Sequence, residues 1–434
     1  MKYFSLHKNA PKVSFREAVI RGLAPDRGLY YPEAIQPLPE DFIKQLGEYT
    51  DAEIAFKVIE QFVAGEIPKG ELKQIVEEVL SFDFPLVEIE PNVYSLELFH
   101  GPTLAFKDVG ARFMARCLGY FNSKDTTSEN VTVLVATSGD TGGAVANGFY
   151  QVEGVEVVIL YPSGKVSEIQ EKQLTTLGKN IRALEVAGSF DDCQAMVKKA
   201  FLDPDFEGKV NLTSANSINV ARWLPQMFYY FSAYKKLQSK GKAVVFSVPS
   251  GNFGNICAGM MAQKLGLPVH HFITGTNVND VVPNYLRTGS FDSRDTVPTI
   301  SNAMDVAAPS NFIRIEELHD HSLEKLRSNL SGYSYTDDET RAAMKELFEN
   351  FGYVADPHGA IGYLALKAYT EESGFEGIGV FLETAHPVKF LDVIPKEISE
   401  KIVLPKAIEE ILPKKKVAQK ITTYTELKEN LLQH

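Results

Sequence analysis

Val131-Thr132-Val133-Leu134-Val135-Ala136 runs directly into Thr137-Ser138-Gly139-Asp140-Thr141-Gly142-Gly143, and Val155-Glu156-Val157-Val158-Ile159-Leu160 follows soon after. The two apolar runs are short and rich in β-branched residues, as buried strands are. Between them the glycines and hydroxyls mark a tight turn, and residues 143–150 read as a helix, which makes the stretch a strand–helix–strand unit. Residues 181–186, 244–248 and 377–382 are further strand runs separated by helical patterns. Alternating strands and helices give an α/β fold whose mostly parallel sheet is covered on both faces. Ligands of such sheets bind beyond the carboxyl ends of the strands. The polar motifs at 137–143, 250–255 and 383–387 each follow an apolar run and are therefore expected at those ends.

At 434 residues the chain is too long for one compact core, so two or three domains or lobes are expected. Hydrophobic residues at 44% and charged residues at 23% lie near globular averages, which excludes a disordered chain. A formal net charge of -12 argues against a nucleic-acid partner, which requires a basic excess to displace counterions. It is compatible with a small anionic substrate held in a locally basic pocket. Cys117, Cys193 and Cys257 are widely spaced, without disulfide or metal-ligand pairing, so a reducing compartment, core positions and no metal site are expected. Residues 1–10 have no signal-peptide core, and no stretch approaches the roughly 18 apolar residues of a membrane span. The expectation is a soluble, cytoplasmic protein without membrane contact or an obligate protein partner.

Residues 1–90 read as a small, mainly helical domain, and 91–434 as the catalytic region, with a smaller lobe at about 125–230 and a larger one formed by the remainder. Ser14 with Glu17, and Thr50 with Glu53, have the spacing of helix-capping pairs, and Pro68 opens a third helix. The turn at 24–33 holds Asp26 and Arg27, read either as a local ion pair or as groups reaching a site. Lys414, Lys415 and Lys416 read as a solvated face, followed by a short helix at 426–432.

Five motifs carry chemistry. In His100-Gly101-Pro102-Thr103-Leu104-Ala105-Phe106-Lys107-Asp108, a lysine sits beside an apolar ring. A lysine amine attacks a carbonyl, and burial lowers its pKa, so Lys107 is read as the covalent anchor of an aldehyde cofactor. Ser250-Gly251-Asn252-Phe253-Gly254-Asn255 opens a helix after a strand. Converging amides and the helix dipole make it a phosphate cradle, although it lacks the Walker and dinucleotide glycine spacings. The hydroxyls of Thr137, Ser138 and Thr141 suit a carboxylate, while Asp140 either faces a cofactor hydroxyl or caps its helix. In residues 216–222, a helix start would place Asn216, Asn219 and Arg222 on one face, with Arg222 free for a second anion. At 383–387, the Thr384 hydroxyl suits a pyridine nitrogen, and His386 reads as a structural hydrogen-bonding group rather than an acid–base catalyst.

Together with Ser301-Asn302-Ala303-Met304-Asp305-Val306, Ser214-Ala215-Asn216-Ser217-Ile218-Asn219 and Thr384-Ala385-His386-Pro387, these motifs resemble the threonine synthase family of pyridoxal-phosphate enzymes over essentially the whole chain. The resemblance implies fold type II, with two open, mostly parallel α/β lobes. It also implies Lys107 as the Schiff-base lysine and Gly251, Asn252, Phe253 and Asn255 around the cofactor phosphate, with Phe106, Asp140, Ser250 and Gly254 beside them. Thr384 would contact the pyridine nitrogen, Thr137, Ser138 and Thr141 the substrate carboxylate, and Asn216, Ser217 and Arg222 the substrate phosphate. The implied reaction turns O-phospho-L-homoserine and water into L-threonine and phosphate, with freed Lys107 as the base for the α-proton. A dehydratase or sulfhydrylase of the same fold would share the lysine and the cradle but has no use for a second anion site. A binding protein that had lost catalysis would not need Lys107 and Thr384.

Overall fold

A computed structural model describes residues 1–124, 130–137, 139–292 and 294–433. Two sheets carry the fold. The larger has six strands in the order Leu330–Ser334, Val269–Thr276, Val244–Pro249, Ile378–Glu383, Val93–Glu97 and Leu86–Glu90. All neighbours are parallel except the last pair, an antiparallel edge hairpin. The smaller sheet is wholly parallel: Gln419–Ile421, Ile181–Val186, Val155–Pro162, Val131–Ala136 and Asn211–Thr213.

The unbroken apolar runs follow from burial on both faces. Val133, Val135, Val157 and Ile159 belong to one core with Phe113 and Val145, whereas Leu134, Ala136, Val158 and Leu160 face a second core with Cys193, Val197 and Leu427. The larger sheet divides likewise, Phe246 and Val248 on one side, Val245, Ile273 and Phe381 on the other. Parallel sheets need this double cover. The three cysteines are free and buried.

The helix after the first strand is Asp140–Gly148, beginning three residues earlier than the glycines suggest. Gly139, at φ 148°, makes the turn that allows it. In the N-terminal region Ser14 accepts the Glu17 amide and Thr50 with Glu53 forms a full capping box. Asp26 accepts from Ser5 Oγ (2.6 Å) and from the Asn9 and Gly28 amides (2.9 and 3.0 Å), so it ties the turn to the N-terminal strand Tyr3–Ser5 rather than pairing with Arg27.

Two boundaries differ from the sequence reading. Leu86–Glu90, expected in the N-terminal domain, is an edge strand of the larger sheet, because the turn at Asn92 (φ 67°) folds it back on Val93–Glu97. The tail, assigned to the larger lobe and read without a strand, forms the strand Gln419–Ile421 on the smaller sheet, where Ile421 pairs with Val186 and is buried with Leu184 and Leu427. Lys416 bonds Glu171 (2.5 Å) and Glu185 (2.8 Å) on the way, so it is not simply a solvated charge. No helix among the described residues is long and apolar enough to cross a membrane.

Candidate active site

Lys107 is the first residue of the helix Lys107–Lys124 and is placed by a short antiparallel contact between motifs distant in sequence. Ala105 bridges Ala385, the Phe106 amide donates to the Thr384 carbonyl (2.8 Å), and the His386 amide donates to the Leu104 carbonyl (3.0 Å). Thr384 thus lies one residue across from the lysine motif, at the carboxyl end of Ile378–Glu383. The neighbouring strand Val244–Pro249 runs directly into Ser250, so the glycine-rich loop opens beside it. Asp108 accepts from the Thr103 amide (2.9 Å) and hydroxyl (2.5 Å), while the Tyr229 hydroxyl donates to the Phe106 carbonyl, fixing both flanks of Lys107. The Lys107 Nζ stands 5.7 Å from the Phe106 ring centroid.

Burial lowers the Lys107 pKa to about 8; the Asp140 carboxylate resists this, and Arg222 and Lys389 reinforce it. The Asp140 Oδ1 forms a buried ion pair with Lys389 Nζ (2.6 Å) and accepts from Gln170 Nε2 (3.0 Å). Burial opposes ionisation of Asp140, but Lys389 and then Lys107 outweigh it and hold the carboxyl down to about 2. Lys389 also donates to the Thr103 carbonyl (2.9 Å), so one ammonium links the carboxylate loop to the lysine loop. Sequence reading missed Lys389 and Gln170. Lys389 carried one local signal, a lysine between Val388 and Phe390 in an apolar run; Gln170 carried none.

Thr141 lies in the first turn of Asp140–Gly148, Thr137 directly follows the strand Val131–Ala136, and Ser138 is outside the described residues. The Thr137 hydroxyl accepts from the Gly139 amide (3.0 Å) and the Gly142 amide (2.8 Å), so it braces the loop from within. The segment 216–222 departs from a shared helical face. Asn219 is the cap of the short helix Val220–Trp223, and its side chain bonds the Ala221 amide (3.0 Å), the Val19 carbonyl (2.9 Å) and the Ser214 carbonyl (3.1 Å). A cap has non-helical backbone, which takes Asn216 out of register. Arg222 is buried, donates to the Ala215 carbonyl, and keeps an unpartnered Nε; Asn216 Oδ1 is likewise buried without a partner. Desolvation lowers the Arg222 pKa to about 10, and no carboxylate among the described residues forms an ion pair with it.

The phosphate-type loop has the expected form. Phe253, in the left-handed region at φ 60°, turns the chain into the helix Gly254–Lys264, whose N-terminus has no side-chain cap. Asn255 Nδ2 donates to the Pro249 carbonyl (2.8 Å), and the Ser250 hydroxyl to the Val248 carbonyl (3.0 Å). Gly251 is needed for close approach: a Cβ there would lie 2.7 Å from the Ala303 carbonyl oxygen and 2.8 Å from Met304 Cα. The Asn252 side chain donates to Ser217 Oγ (3.3 Å) and accepts the Ser310 amide (2.6 Å), so Ser217 joins this loop. Behind Ala303, His358 Nε2 accepts its amide (3.2 Å), and Asp356 orients the imidazole (2.5 Å). His386 caps its own turn through the Val388 amide (3.1 Å), in keeping with a structural role.

A desolvated lysine with a lowered pKa, an uncapped helix end and a glycine pressed against a second backbone segment fit an aldehyde that carries a phosphate. The comparisons agree. Residues 85–381 match the family described as pyridoxal-phosphate dependent enzyme, and residues 2–80 match the one described as threonine synthase N terminus. The threonine synthase of Buchnera aphidicola is 44% identical, over 94% of this chain and 94% of its own. A crystal structure of threonine synthase from Escherichia coli superposes with a TM-score of 0.92 at 40% identity, covering 100% of both chains. The pyridoxal-phosphate-bound threonine synthase from Brucella melitensis also gives 0.92, at 35% identity, covering 100% of this chain and 99% of its own. With a lysine-centred site, full-length structural agreement and this level of identity, the chain belongs to the threonine synthase family of pyridoxal-phosphate-dependent enzymes.

Proposed function

We propose that this chain converts O-phospho-L-homoserine and water to L-threonine and phosphate, the last step of threonine biosynthesis, in the cytoplasm. The observation that carries the substrate assignment is Arg222, a buried guanidinium near Lys107 that forms no ion pair with a carboxylate among the described residues and keeps an unpartnered Nε, which suits a second anion distinct from the cofactor phosphate.

Gly251, Asn252, Phe253, Gly254 and Asn255 would hold the cofactor phosphate, Lys107 its aldehyde and Thr384 its pyridine nitrogen. Pyridoxal phosphate supplies an electron sink for charge that develops on the substrate's carbon skeleton. Lys107 Nζ takes the α-proton, and with a pKa of about 8 it holds that proton without retaining it. Asp140, kept ionised by Lys389, faces Lys107 and prevents the site from being uniformly cationic. Thr141 and Ser138 bind the substrate carboxylate on a loop that Thr137 braces, and Asn216, Ser217 and Arg222 bind the departing γ-phosphate. Water then adds at the β-carbon. Residues 1–80 serve as a packing domain, with catalysis confined to the two-sheet region that begins with the edge strand Leu86–Glu90.

The test is to supply O-phospho-L-homoserine and follow phosphate and amino-acid product together. Threonine formed in step with phosphate is the expected result. Phosphate with a keto acid, or no phosphate release, would overturn the assignment, and a Lys107→Ala chain that still turned over would remove Lys107 from its role.

A further inference from the structure

Arg314, on the helix Phe312–Leu318, is fully buried, and its acceptors are all neutral. Nη1 donates to Asn311 Oδ1 (2.6 Å), and Nη2 donates to the carbonyls of Tyr30 (2.9 Å) and Ile218 (2.6 Å). The guanidinium carbon stacks 4.3 Å from the Trp223 ring, and Nε has no partner. No carboxylate among the described residues pairs with it. The acidic groups that act on its charge are the Cys257 thiol and the Tyr31 and Tyr3 phenols, all of which burial keeps protonated. A dry, uncompensated guanidinium is costly, and neutral carbonyls offset only part of that cost. The remainder is recovered when an anion binds nearby.

The connections indicate which anions. Asn311 Nδ2 donates both to the Asn252 carbonyl (3.1 Å), in the cofactor-phosphate loop, and to Ser217 Oγ (3.3 Å), in the segment assigned to the substrate phosphate. Arg314 itself holds the Ile218 carbonyl of that segment. Cys257, which senses its charge, stands one turn inside Gly254–Lys264. We propose that Arg314 is a positioning residue for both anion sites: through Asn311 it fixes the two loops to each other, and its uncompensated charge stabilises the phosphate bound at the uncapped helix end. The substrate half of this inference rests on the function proposed above. The cofactor half does not, and the test uses only that half.

The full-length chain is freed of cofactor and titrated by absorbance with pyridoxal phosphate and with pyridoxal, which lacks the phosphate. The ratio of the two dissociation constants measures what the phosphate contributes. In Arg314→Gln that ratio falls at least about tenfold, equivalent to about 1.4 kcal/mol, while pyridoxal binding changes less than about twofold, and Arg314→Lys restores part of the loss. Asn311→Ala retains the charge and loses the tie, so it lowers the ratio by a smaller factor. It also provides the test if Arg314→Gln does not fold. Equal weakening of both ligands, or an unchanged ratio in Asn311→Ala, would overturn the proposal by making the pair a packing element only. Loss of turnover with an intact ratio would count against the proposed reaction and not against this assignment.

Discussion

Replacing Lys107 by Met should stabilise the cofactor-free chain. Burial lowers the lysine from its ordinary value of 10.5 to about 8. At about 1.4 kcal/mol per unit, holding the charge in the folded state costs about 3 kcal/mol. Because the folded value is the lower one, the unfolded chain binds the proton more tightly. The cost is therefore complete below about pH 8, shrinks as pH rises towards 10.5, and vanishes above it. Met fills similar volume without charge, so Lys107→Met gains about 3 kcal/mol at pH 7 and about half that or less near pH 9.5. The assay is urea unfolding of the full-length chain without cofactor, at both pH values and constant salt. A variant no more stable than the parent at pH 7, or a gain that does not fall with pH, would refute the claim that desolvation controls this amine. The same cost keeps the lysine reactive near neutrality, so the site exchanges stability for chemistry.

Gly251→Ala should raise the dissociation constant for pyridoxal phosphate by at least about tenfold, because the added methyl meets the backbone of Ala303 and Met304 and neither can move cheaply; unchanged affinity in an absorbance titration would show that the 301–305 segment does not support the cradle. Glu383 is buried beside Asp356, and burial, followed by the Asp356 charge, raises its pKa well above the usual carboxylate range. Stability from this proton is complete below the unfolded value of about 4.5 and declines as pH rises above it. Glu383→Gln should therefore gain on the parent by up to about 1.4 kcal/mol per pH unit above 4.5, and a difference constant between pH 5 and pH 7 in parallel unfolding series would refute a protonated Glu383.

Local sequence determined the elements and their order. The run 131–136 is a strand because β-branched side chains in a short, unalternated stretch are buried on both faces. The capping pairs at Ser14 and Thr50 act as their spacing requires, since such contacts span three residues and need no distant partner. The Gly-rich loop at 250–255 was legible for the same reason: glycine and a helix start are local properties. The resemblance in its motifs carried the family.

Tertiary structure decided what one segment does to another. Asn219 lies close to Arg222 in sequence, yet its side chain is taken up by the carbonyls of Val19 and Ser214, so helical periodicity gave the wrong face. Lys389 becomes the counter-charge of Asp140 only because 104–106 pairs with 384–386 and brings the two loops together. The final strand has few residues and little apolar content, and only the open edge of the smaller sheet and the pocket around Ile421 give it a place. Periodicity and capping are written within a few residues of chain. The pairing of buried charges is set by distance and exclusion of water, and those exist only once the lobes have folded.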